Sequence, residues 1–272
     1  MPEGQLTEAV APVLLREDED RIATLTLNRP KQLNALSEEL IAALTEELER
    51  IADDRNVKVV LIRGAGRAFC AGHDLKEMTA ACAASDDPRA YFNDLFARCA
   101  RMMTSIVRLP QPVIAEVNGL ATAAGCQLVA SCDMAVAAQS AQFGVNGVNI
   151  GLFCSTPMVA LSRNIPKKHA FELLTTGDFI GAERAAALGL VNRLARTETL
   201  HNETWDLAKT VASKLGAAVK IGKEAFYRQA EMTLDEAYRY TGQVMAENMV
   251  ARDTAEGVAA FLEKREPDWP EG

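Results

Sequence analysis

The chain lacks the usual marks of a metal-stapled or disulfide-stapled domain. Its six cysteines, Cys70, Cys82, Cys99, Cys126, Cys132 and Cys154, form no C-x-x-C pair. Its three histidines, His73, His169 and His201, lie far apart in sequence. A structural zinc site is therefore not expected, and the cysteines read as reduced and mostly buried. No apolar run reaches the roughly 18 residues that span a bilayer. Met1 to Val10 carry no basic region followed by an apolar stretch. That reads as no secretory signal, and the default expectation is a cytoplasmic protein. Positive charge is also in short supply. The net charge is −8, which argues against general nucleic-acid binding. An anionic ligand would need a local basic patch.

What is there is a well-filled core. The chain has 272 residues, and 49% are hydrophobic, enough for one large domain with a helical appendage. Residues 22–27 alternate Thr24 and Thr26 with Leu25 and Leu27, as in a half-buried strand. The acidic run Glu17 to Asp20 before it reads as a solvated turn between strands. Ser37 reads as an N-cap, with Glu38 and Glu39 in the first turn where the helix dipole favours acids. Leu40, Ile41, Leu44, Leu48 and Ile51 then recur at helical spacing. Residues 57–62 and 113–117 read as buried strands, 88–107 as a long helix, 124–131 as a short one and 134–138 as a further strand. Ser155 and Thr156 before Pro157 look like an N-cap pair. After about Thr197 only helical patterns remain, the first starting at Trp205. The expected organisation is a mixed core over residues 1–196 and a helical region over 197–272.

Two short stretches carry the chemistry. They are Phe69-Cys70-Ala71-Gly72-His73-Asp74-Leu75 and Asn118 through Gln127. In Ala71-Gly72 and Ala123-Ala124-Gly125 no large side chain screens the backbone. Two N–H groups from such turns can converge on one oxygen, and the second lies at a helix N-terminus. This arrangement stabilises an oxyanion, each donor contributing roughly 2.7–4 kcal/mol to a transition state. The same small residues also permit close helix–strand packing, and either stretch alone would say little.

Together, in this order, they resemble the enoyl-CoA hydratase/isomerase (crotonase) superfamily along nearly the whole chain. The blocks 28–36, 68–78, 118–127, 131–134, 141–144 and 261–265 carry the resemblance. Residues 118–133 and 149–157 are similar to one subgroup in particular. The resemblance implies an α/β fold: a spiral of strand–strand–helix units followed by a C-terminal helical trimerisation region. It implies a homotrimer or dimer of trimers that binds an acyl-CoA thioester, with no cofactor beyond the coenzyme A moiety. By position, the N–H groups of Ala71 and Ala124 match the pair that polarises the thioester carbonyl. Lys31, Gln32, Leu33, Gly72, Asp74 and Leu75 match segments around the adenine and pantetheine. Lys264 matches a basic residue that reaches the nucleotide phosphates.

The pattern then departs from the family. Hydratases of this kind use two glutamates; here Gln127 and Gly147 stand in their places. A positioned acid or base contributes roughly 10²–10⁴-fold, so classical hydration is expected to be weak. His73 reads as a candidate general acid–base group or as part of the pocket wall. Ala-Gly-His-Asp also resembles superfamily decarboxylases that act on malonyl-type thioesters, where loss of carbon dioxide yields the enolate without a carbon base. Gln127, Asn146 and Asn149 read as groups that orient a carboxylate or as turn residues. Asp74 reads as structural. The expected function is an acyl-CoA enzyme that stabilises a thioester enolate; the alternative is a non-catalytic acyl-CoA binder.

Overall fold

A computed structural model of the chain describes residues 11–269. Met1 to Val10, read above for a signal, lie outside the described residues. The chain opens with β1 (Leu14–Glu19), β2 (Ile22–Leu27), α1 (Glu38–Ala52), β3 (Val59–Gly64) and β4 (Ala68–Cys70). Helices α2 (Leu75–Ala84) and α3 (Pro88–Arg108) lead to β5 (Val113–Val117), β6 (Leu120–Thr122) and α4 (Ala124–Ser131). Then come β7 (Met134–Ala138), β8 (Gln142–Gly144), α5 (Ser155–Asn164), α6 (Lys167–Thr176) and β9 (Phe179–Gly181). After α7 (Ala182–Leu188) and β10 (Arg193–Ala195) follow four helices: α8 (Leu200–Ala212), α9 (Gly216–Gln229), α10 (Leu234–Met249) and α11 (Arg252–Glu263).

The strands form a six-stranded sheet, β1-β2-β3-β5-β7-β10, and a four-stranded one, β4-β6-β8-β9. Strands β3, β5 and β7 enter the first sheet, and each is followed by a strand of the second: β4, β6 and β8. One or two helices then return the chain. This is the expected spiral of strand–strand–helix units. Pairing is parallel except at the edges, where β1 and β9 run antiparallel to their neighbours.

The six-stranded sheet is covered on both faces. Val60 and Ile62 enter the main core with the buried face of α1, while Val59 and Leu61 pack against Leu200, Leu207 and Ala208 of α8. Adjacent strand residues thus serve opposite cores, the period of two expected of a strand. This explains why β2 is buried on both faces, Thr24 included, where the Thr/Leu alternation suggested only one. The predicted cap and stripe of α1 hold: Leu40 N–H donates to Ser37 Oγ at 3.2 Å, and all five stripe residues are buried.

Several boundaries differ from expectation, and β3 runs Val59–Gly64 rather than 57–62. Helix α5 begins at Ser155 itself, with Cys154 as N-cap and no side-chain cap. Ser155 Oγ instead meets Phe153 O at 3.4 Å. Helix α8 begins at Leu200 rather than near Trp205, because Thr204 belongs to its buried stripe and donates to Leu200 O at 2.8 Å. The acidic run lies on β1 up to Glu19, and Asp20 with Arg21 makes the turn, both at positive φ.

Candidate active site

Strands β4 and β6 pair in parallel, so the segments leaving their C-terminal ends emerge side by side. These are 71–74 and the Ala123 turn into α4. Gly72, at φ +86°, faces that turn closely. A β-carbon built on it would lie 2.9 Å from Ala123 Cβ and 3.3 Å from Ala124 N. Gly125 backs onto β4, where a β-carbon would meet Cys70 O at 2.0 Å. The glycines therefore serve close approach here, as small residues at these turns suggest.

A third segment closes against the first. Ala71 N–H donates to Leu33 O (3.0 Å), Leu36 N–H to Gly72 O (2.7 Å) and Asp74 N–H to Leu36 O (3.1 Å). Asn34, fully buried, pins this strip: its amide donates to Ala65 O and Ala68 O, and its Oδ1 accepts from Arg29 N–H. Arg29 reaches Ala35 O at 2.6 Å and Asp74 at 2.8 Å. Sequence reasoning treated Arg29 and Asn34 only as text of a block. Their signal was an Asn-Arg-Pro turn with a second Asn four residues on, polar groups in a run destined for burial.

This strip engages one expected donor. The Ala71 N–H is already engaged with Leu33 O, so it cannot point at a ligand. Leu36 bonds to Gly72 O and Asp74 N–H on either side of His73, so in this parallel bridge the His73 N–H points away from the strip. Among the described residues His73 N–H has no acceptor, and neither has Ala124 N–H at the uncapped start of α4. The available pair is thus His73 and Ala124. The unengaged N–H lies two residues along the loop from Ala71, and only the pairing with Leu33 and Leu36 reveals it.

Other expected residues fall as follows. Lys31, Gln32, Leu33, Gly72, Asp74 and Leu75 come together along this strip, with Lys31, Gln32 and Leu75 exposed. Lys264 is exposed at the C-cap of α11, at φ +57°, with no polar side-chain partner among the described residues. Asp74 caps α2 through Lys76 N–H and Glu77 N–H. Burial would raise its carboxyl, but Arg29 and these backbone donors outweigh that and hold it below the usual range.

His73 sits edge-on to Phe96, ring centroids 5.6 Å apart, and neither ring nitrogen has a partner. Burial pushes its pKa down to about 4. At pH 7 roughly one molecule in a thousand would carry the imidazolium. The ring is a neutral hydrogen-bonding group. Gln127 lies in α4 with its Oε1 buried and unpartnered. Gly147 has no room for a side chain: a β-carbon would lie 2.3 Å from Leu152 O and 2.8 Å from Cys154 Sγ. Asn146 accepts from Thr122 Oγ1 at 2.7 Å, and Asn149 donates to Gly177 O at 3.2 Å; both hold local structure. Burial pushes the Cys70 and Cys126 thiols up to about 12, so neither is a ready nucleophile.

The fold is that of enzymes of the lyase and isomerase type. The enoyl-CoA hydratase/isomerase family model matches residues 17–272, and the chain belongs to that family. It is similar to enoyl-CoA hydratase domain-containing protein 3, mitochondrial, of Xenopus laevis, at 45% identity over 258 residues, 95% of this chain and 86% of that protein. The Homo sapiens counterpart is 44% identical, over 92% of this chain and 81% of that protein. Its human crystal structure superposes with a TM-score of 0.89 at 43% identity, covering 94% of this chain and all of that one. An enoyl-CoA hydratase structure from Mycobacterium smegmatis gives 0.91 at 52% identity, covering 95% and 99%. The subgroup to which residues 118–133 and 149–157 pointed is the one these relatives represent. Their mitochondrial names overturn the expectation of a cytoplasmic protein, which rested only on the residue types of Met1 to Val10.

Proposed function

We propose that this chain binds an acyl-CoA thioester and stabilises its enolate oxygen between the N–H groups of His73 and Ala124. The observation that carries the reading is that pair of donors on facing turns with no acceptor of their own among the described residues. Coenzyme A lies along the Lys31–Leu33 and Gly72–Leu75 strip, with Lys264 reaching phosphate from a neighbouring subunit. No cofactor beyond the substrate's own coenzyme A is required.

Hydration is disfavoured because it needs a base for water and an acid for the α-carbon. Gln127 is an amide, and position 147 cannot hold a side chain. Decarboxylation of a malonyl-type thioester suits the site better. Breaking the carbon–carbon bond releases carbon dioxide and leaves its electron pair as the enolate, which a proton then quenches. A neutral His73 and the Gln127 amide can orient a carboxylate by hydrogen bonds without the full charge that would anchor it in the ground state. A second reading, a non-catalytic acyl-CoA binder, is favoured by the same missing glutamates.

The test is a panel of crotonyl-, malonyl-, methylmalonyl- and longer acyl-CoA thioesters, with products followed by mass. Release of carbon dioxide from a malonyl-type thioester is expected, falling roughly 10²-fold in His73→Ala. Binding without turnover across the panel would leave only the second reading. Crotonyl-CoA hydration at ordinary enzymatic rates would overturn the argument from Gln127 and Gly147.

A further inference from the structure

Ala123 stands out in the backbone. Its φ of 50° and ψ of −119° make it a non-glycine residue at positive φ, outside the left-handed helical well. The pair of angles is the mirror image of about (−60°, +120°), a conformation dominated by glycine. Two hydrogen bonds hold it there: Ala123 N–H to Gly144 O at 2.9 Å, and Gln127 N–H to Ala123 O at 3.0 Å. Glycine would occupy the same angles without strain. A methyl group maintained at such a position calls for a reason, and the geometry supplies one.

The peptide unit is planar, so ψ at Ala123 sets the direction of the Ala124 N–H. Glycine leaves that torsion loose; a β-carbon narrows it. The same methyl faces Gly72 of the opposite turn, since a β-carbon on Gly72 would come within 2.9 Å of it. It therefore stands between the two donor-bearing turns. We propose that Ala123 is a positioning residue, whose β-carbon fixes the aim of the Ala124 N–H and braces the 71–74 turn against the start of α4. The inference rests on the oxyanion-hole reading and goes beyond it. It assigns the aim of one donor to a strained side chain that touches no substrate. Oriented donors stabilise charge only when fixed in advance of the reaction, which is what the strain would maintain.

The probe is butyryl-CoA labelled with carbon-13 at the thioester carbonyl, followed by isotope-edited infrared spectroscopy on the full chain. This readout needs no turnover. In the native protein the carbonyl stretch is expected to fall on binding, as both donors polarise the oxygen. In Ala123→Gly at least half of that shift is lost and the band broadens. The dissociation constant stays within about threefold, because coenzyme A supplies most of the contacts. Ala123→Gly also melts no lower than the native chain, since strain is relieved. Ala123→Ser, which keeps the β-carbon, retains the shift. A full shift in Ala123→Gly, its loss in Ala123→Ser, or a lower melting temperature of Ala123→Gly would each overturn the role of Ala123. Absence of any shift in the native protein would instead bring down the oxyanion reading itself, and this inference with it.

Discussion

His73 is held neutral by burial, and that has a measurable cost in acid. Its folded pKa of about 4 lies below the ordinary value of 6.5. Between these values the unfolded chain binds a proton that the folded chain refuses. Stability is therefore unaffected above pH 6.5 and falls as the pH drops towards 4. By linkage the loss approaches about 3 kcal/mol. His73→Gln removes the titration. Denaturant unfolding of both chains from pH 7 to pH 4 should show the native chain losing more stability than the variant by about that amount. Parallel losses in the two would mean that His73 titrates normally. At this scale much of the site was legible. The small residues at the turns and the structural part of Asp74 followed from side-chain chemistry, and the places of the absent carboxylates from the family resemblance. What was not legible depended on direction. Which N–H along Ala71–His73 faces the pocket follows from the pairing with Leu33 and Leu36, not from residue type. The strain at Ala123 is equally hidden, because alanine is unremarkable until its torsion angles are known.

Among elements, α9 is tied to the core by one partly buried carboxylate. Asp133 accepts from Lys223 Nζ at 2.6 Å, Tyr227 Oη at 2.8 Å and Val113 N–H at 2.6 Å. Lys223 also donates to Ile106 O and Gln111 O, each at 3.0 Å. Burial pulls the Lys223 ammonium below its usual range and Asp133 works against that. Lys223→Met would leave the carboxylate and both carbonyls short of a donor. We expect a loss of about 3–5 kcal/mol in unfolding free energy, with faster proteolysis within α9–α11. A change under 1 kcal/mol would show the tether to be unimportant. The sequence displayed the elements themselves well where they were long: α1, α3, β5, α4 and β7 fall within a residue of expectation. The three-residue strands β4, β6, β8 and β9 did not show, because so few residues cannot establish a period. Their pairing comes from tertiary context, and with them went the second sheet.

For the whole molecule, the surface of the last helices is the conspicuous feature. Helix α10 buries no residue in the single chain, yet Leu234, Tyr238, Met245 and Met249 are exposed apolar groups. Phe261 and Leu262 on α11 are more than 70% exposed. Such a surface suits association with further copies, in line with the proposed trimer or dimer of trimers. Sedimentation equilibrium should return a mass three or six times that of the 29.4 kDa chain, and Phe261→Asp with Leu262→Asp should lower it. A monomer at micromolar concentration would refute this. Seen whole, the spiral also acts as a gauge block. The two turns proposed to carry the donors leave neighbouring strands, β4 and β6, so their separation follows the ladder spacing of about 4.8 Å rather than the length of any loop. Loops and helices around the acyl chain can therefore be lengthened, trimmed or exchanged while the calibration between the two N–H groups is kept. A redesign of substrate range has its tolerances set in advance by the sheet.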